Sequence, residues 1–199
     1  MTVFPRKLTS LGLIVFAVTF FLPAGFYNSP LGRFRWSLDS VFLAESWGES
    51  LASIGICLVI AYPYIWALAS AYIFFFNRYP GRWAVRIQFL CHLFGGIPIT
   101  VLGLTLILLK AEFPPVGVQW IALLFPVGLI LILLATSMLV KPHRRFPALA
   151  SVALIVFIPL QFILYHFILL DGGSGWGYLL GGGGALIGLI GSSALIFRS

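Results

Sequence analysis

Residues 51–76 read LASIGICLVIAYPYIWALASAYIFFF, a run of 26 residues without a single Asp, Glu, Lys, Arg or His. A helix of about 20 apolar residues crosses a hydrocarbon core roughly 30 Å thick, so this run is long enough to span a membrane with residues to spare. The basic turn NRYPGR (77–82) closes it, and another apolar run follows at once. Outward from this segment the same pattern recurs at 8–27, 87–109, 120–140, 148–169 and 178–197. The expected fold is therefore all-α, a polytopic membrane protein built as one domain over residues 1–199, with a bundle of six transmembrane helices.

Composition agrees. The chain is 61% hydrophobic and 9% charged, with a mean hydropathy of +1.08. Soluble domains are about 45–50% apolar and roughly 25% charged, and no water-soluble fold could cover this much apolar surface. The net charge of +7 reflects the scarcity of acids, not dense basic patches, so it argues for anionic lipid headgroups and against nucleic acid.

The charges also give a direction. All five acids (Asp39, Glu45, Glu49, Glu112 and Asp171) fall in alternate gaps between the runs. The other gaps and both ends carry only Arg6, Lys7, Arg78, Arg82, Arg86, Lys141, Arg144, Arg145 and Arg198. Short cytoplasmic loops retain Lys and Arg, so the N- and C-termini are both expected in the cytoplasm, with Arg33, Arg35 and Lys110 outside among the acids. Arg78, Arg82, Arg86, Lys141, Arg144 and Arg145 form two basic collars suited to anionic headgroups. Tyr79, Trp83, Trp120, Trp176 and Tyr178 stand at the predicted boundaries, where amphipathic rings prefer to sit. The first run is longer than the apolar core of a signal peptide and lacks a good cleavage site, so it reads as a retained helix. Short loops and the lack of an organelle-targeting extension point to a bacterial inner membrane.

Several features bear on function. Each of the first five runs holds a proline (Pro23, Pro63, Pro98, Pro126, Pro159), which removes a backbone donor and frees a carbonyl one turn earlier. Pro63 and Pro126, and Pro98 and Pro159, recur at nearly the same offset, as in a doubled hairpin or as a common bilayer thickness imposes on any hairpin. In the last run, Gly184, Gly188 and Ser192 recur every four residues beside a second small row of Gly177, Gly181 and Ala185. Small residues at that spacing allow close helix contact, within the bundle or with another subunit or a second copy of the chain. Gln88, Thr100, Thr105, Thr136, Ser137 and Gln161 lie at depth, whereas no ionisable Asp, Glu, Lys or Arg lies mid-span, which argues against an ion-coupled pump.

His92 and His166 are the candidate ligands for a haem or pigment. They sit toward opposite ends of their spans, roughly 20 Å apart at 1.5 Å of rise per residue, so they would not share one macrocycle. His143 stands in a basic loop. Cys57 and Cys91 lie inside apolar runs at opposite ends and are not expected to pair. The outer loop 28–50 alternates Leu38, Val41, Phe42 and Trp47 with Asp39, Glu45 and Glu49, as a helix on the bilayer surface would, with Ser37 or Asp39 as its cap. No nucleophile elbow, zincin or phosphate-loop motif is present, and no metal site is expected. The sequence thus predicts a non-catalytic integral membrane protein: an accessory or scaffolding subunit of a membrane complex contacting partners through Gly177, Gly181, Gly184, Gly188 and Ser192 and through the outer loop 28–50. A small transporter or channel for a neutral or lipid-like solute is the first alternative. A cofactor-bearing subunit is the second.

Overall fold

The computed structural model describes residues 3–22, 29–76, 82–108, 124–138, 142–163 and 176–197. These form helices α1 (Val3–Val18, extended by a 3-10 turn at Thr19–Phe21), α2 (Pro30–Leu43), α3 (Trp47–Phe75), α4 (Arg82–Leu108), α5 (Leu124–Met138), α6 (Pro142–Ile163) and α7 (Trp176–Ile196). No strand occurs among the described residues.

Four stretches are long and apolar enough to cross a membrane: Val3–Phe21, Trp47–Phe75, Val85–Leu104 and Leu179–Ile196. The apolar parts described for α5 and α6 are shorter, Leu124–Ser137 and Phe146–Ile158. Several helices begin before their apolar runs. α1 includes Arg6 and Lys7, α4 starts at Arg82, and α6 starts at Pro142, whose missing N–H costs nothing in a first turn. Pro63 and Pro98 lie inside continuous helices, whereas Pro126 falls in the first described turn of α5. Pro23 lies outside the described residues.

The helices close a ring in the order α1, α3, α4, α5, α6, α7 and back to α1. The ring is filled by side chains, among them Phe16, Trp66, Ile99, Leu131, Leu154, Phe157 and Leu160, all fully buried. Its outward faces carry Leu68, Val101, Leu133, Ile155 and Ile190, all exposed. Apolar residues thus line both inside and outside, the distribution of helices that meet lipid and not water.

Two seams bring backbones into direct contact. A Cβ on Gly12 of α1 would overlap the Gly188 nitrogen and stand 2.6 Å from the Gly184 carbonyl oxygen, and one on Gly184 would stand 2.7 Å from the Phe16 nitrogen. On the other side of the ring, a Cβ on Gly103 of α4 would meet the Phe125 nitrogen at 2.5 Å, and Gly128 of α5 lies against Thr100 just as closely. Neither approach is possible with a larger residue, which explains the glycines at these positions.

α2 is the segment that the sequence marks as amphipathic, and it differs from that expectation in two ways. It starts earlier, at Pro30, because Ser29 caps it: the Gly32 N–H donates to Ser29 Oγ at 3.1 Å, and proline occupies N1. It also runs antiparallel along α3: Ser50 Oγ donates to the Val41 carbonyl at 3.4 Å and, two turns on, Cys57 Sγ to the Phe34 carbonyl at 3.7 Å. The tight turn between them is fixed by Ser46, which accepts from the Glu49 N–H at 3.3 Å, while Glu49 Oε2 accepts from the Glu45 N–H at 3.1 Å. This reciprocal arrangement is close to a capping box.

Candidate functional site

Three turns of α3 and three turns of α4 face each other across the interior. Tyr62, Trp66 and Ser70 follow one another at four-residue spacing and so share one stripe of α3, while Gln88, His92 and Gly95 form the facing stripe of α4. The helices run antiparallel, so the rungs pair in order. Gln88 Nε2 donates to Ser70 Oγ at 3.0 Å. One turn on, the His92 and Trp66 rings stand 5.7 Å apart between centroids. In the third rung Tyr62 lies on Gly95, where any Cβ would come within 2.5 Å of the ring.

Phe157 of α6 closes the site from across the ring of helices. Its centroid lies 4.9 Å from Trp66 and 5.3 Å from Tyr62, both edge-on, and 6.5 Å from His92. Phe16 of α1 stacks on its far side at 6.3 Å. Edge-to-face pairs of this kind add about 0.5–1.5 kcal/mol each beyond the area they bury.

The polar atoms at the centre are less well provided for. Tyr62 OH, Trp66 Nε1, Gln88 Oε1 and both His92 nitrogens are buried without a hydrogen-bond partner among the described residues. Exchanging the oxygen and nitrogen of the Gln88 amide changes nothing, since Ser70 can satisfy only one of them. An unmet buried polar group costs about 1–3 kcal/mol, and hydrocarbon offers no water to relieve it. Four neighbouring side chains in that condition form a pattern that packing alone does not explain.

Other buried hydroxyls are satisfied. Ser10 Oγ donates to the Ala71 carbonyl at 2.9 Å, tying α1 to α3, and Ser151 and Ser192 share a hydrogen bond of 2.7 Å between α6 and α7. Thr100 Oγ1 donates to the Gly96 carbonyl at 2.8 Å within its own helix.

The residues singled out from the sequence are distributed as follows. Gln88 and His92 enter the cluster, but Thr100 sits in the α4–α5 seam. His166 lies outside the described residues, as do Arg78 and Lys141. Arg86 is exposed, with its guanidinium 5.2 Å from the Trp83 ring centroid. Arg82, Arg144 and Arg145 occupy the first turns of α4 and α6. Gly177 and Gly181 are buried, and the surface of Gly184 and Gly188 is covered by α1 of the same chain. Among the described residues, no three His, Cys, Asp or Glu side chains come together as a metal site would require.

Sequence reasoning missed Tyr62, Trp66 and Ser70, although their four-residue spacing was readable. Tyr and Trp in an apolar run read as packing or boundary residues until a facing helix shows where their polar atoms point. Comparison with protein-family models, with characterised proteins and with solved structures finds no match, so the chemistry of this site rests on its geometry.

Proposed function

We propose that this chain is a non-catalytic membrane protein of six transmembrane helices, with both termini in the cytoplasm of a bacterium, that binds a small uncharged or lipid-like solute among α3, α4 and α6. The observation that carries this reading is the group of unpartnered polar atoms on Tyr62, Trp66, Gln88 and His92. A site of few convergent polar groups within aromatic walls is the usual form of a small-molecule site. The lack of charged residues at depth favours an uncharged solute, because an ion would need a counter-charge in hydrocarbon. Pro63 stands beside Tyr62 in the same turn of α3, and backbone freed by an intrahelical proline is where transporters commonly place their sites.

The accessory-subunit reading draws less from the structure. It assigns partner contact to the glycine-rich last helix and to the loop 28–50, and Gly184 and Gly188 pack against Gly12 and Phe16 within the chain. The positive-inside distribution supports the orientation and sets the cluster toward the cytoplasmic half, since Ser70 and Gln88 lie near the helix ends joined by the basic turn.

The test is organic extraction of the protein purified in mild detergent from its host membrane, followed by mass spectrometry. The proposal expects a small uncharged molecule enriched in the wild type and lost from Gln88→Leu/His92→Phe. Indistinguishable extracts from folded wild type and variant would overturn it.

A further inference from the structure

We infer that the Tyr62–Trp66–Gln88–His92 site takes a planar, membrane-soluble ring bearing two carbonyl or hydroxyl oxygens, the chemistry of quinone and quinol headgroups. This rests on reading the cluster as a solute site and narrows the solute.

The first argument is charge. Among the described residues, none of the side chains in ring or hydrogen-bond contact with the cluster is Asp, Glu, Lys or Arg. A charged ligand would therefore arrive in hydrocarbon without a partner. The second is the hydrogen-bond inventory. Trp66 Nε1 can only donate, the free end of the Gln88 amide accepts as oxygen or donates as nitrogen according to which end meets Ser70, the Tyr62 hydroxyl does both, and a neutral His92 offers one donor and one acceptor. A single hydroxyl cannot serve so many groups. Two oxygens on one ring can, accepting as carbonyls from Trp66, Tyr62 and His92 and donating as hydroxyls to Gln88 and His92.

The third argument is shape. A planar six-membered ring, that of Phe157, already stands among Phe16, Tyr62, Trp66 and His92, 4.9 Å from Trp66 and 5.3 Å from Tyr62. A ligand ring of that size meets the same aromatic edges and faces once the Phe157 side chain turns aside. Every group involved lies on a helix of the apolar bundle, which suits a ligand that dissolves in the bilayer.

The experiment titrates purified protein in phosphatidylcholine nanodiscs with a short-chain 1,4-benzoquinone, its hydroquinone, and an alkylbenzene of the same tail without oxygens, read by calorimetry. The expected result is saturable binding of the two oxygenated rings and none of the alkylbenzene. Tyr62→Phe, which keeps the ring and removes only the hydroxyl, and Trp66→Phe, which keeps an aromatic ring but removes the indole N–H together with the five-membered ring, should each weaken binding at least tenfold while the protein remains folded. Equal affinity in wild type and both variants, or equal affinity for the alkylbenzene, would overturn the inference. If the rings do not bind but host-membrane extracts still contain a solute lost from Gln88→Leu/His92→Phe, the ligand class is wrong and the solute site stands. If neither experiment finds a ligand, the cluster holds ordered water only and both readings fall.

Discussion

The seam between α1 and α7 and the cluster between α3, α4 and α6 lie in one bundle, yet they are built on opposite terms. Along the seam, Gly12, Gly184 and Gly188 bring two backbones together, and the hydroxyls nearby are bonded, Ser192 to Ser151 and Ser10 to Ala71. In the cluster, bulky Tyr62, Trp66 and His92 are completely enclosed and their polar atoms have no partner among the described residues. The seam gains stability from closeness. The cluster gives stability up, which the proposed solute site would account for.

Substitutions can break this contrast. The largest effect should come from Gly12→Leu, because even a Cβ there overlaps Gly188. Overpacking usually costs about 1–3 kcal/mol, and a backbone contact that cannot relax should exceed that range. Reversible unfolding in detergent should show a bundle destabilised beyond about 3 kcal/mol or unable to assemble. Phe157→Ala comes next, with an expected loss of about 3–5 kcal/mol as the ring shared by Phe16, Tyr62, Trp66 and His92 disappears. Ser151→Ala should cost about 0.6 kcal/mol by the same assay, the average for an interhelical hydrogen bond in a membrane. Gly183→Ala should cause no loss, since a Cβ at Gly183 meets nothing within 4 Å, unlike its neighbour Gly184. If Gly183→Ala proved as damaging as Gly184→Ala, that face of α7 would have a partner outside the chain, and the accessory-subunit reading would regain its support.

Much of the scaffold was legible in the sequence, for a physical reason. A membrane span must satisfy its backbone internally over a fixed thickness, so apolar length alone marks runs such as 51–76. Helix ends were less legible, since Arg6 and Arg82 can sit in a helix as easily as beside one. The small row at Gly184 and Gly188 was visible, but not its partner, because the lone Gly12 carries no repeat of its own. The α2–α3 hairpin was hidden for a similar reason: amphipathic periodicity says that one face is covered and not by what. For the site, Gln88 and His92 stood out as polar residues at depth, while Tyr62 and Trp66 resembled any membrane aromatic. Only the antiparallel register of α3 on α4, which sets Ser70 against Gln88 and Trp66 against His92, turns separate residues into one cluster.

The most direct test of the central claim, that this cluster exists for a ligand and not for the fold, is the unfolding free energy of Trp66→Phe and Tyr62→Phe in the same detergent, stripped of bound small molecules. Each substitution removes one unpartnered polar atom and keeps an aromatic ring in place. For Tyr62→Phe the account predicts stability equal to the wild type or higher by about 1 kcal/mol, as an unmet desolvation cost is relieved, whereas Trp66→Phe also leaves a cavity where the second indole ring stood and is expected to fall below Tyr62→Phe for that reason. A loss of more than about 1 kcal/mol in Tyr62→Phe, where ring size is unchanged, would mean that the hydroxyl has a structural partner in the folded chain, and would contradict the account.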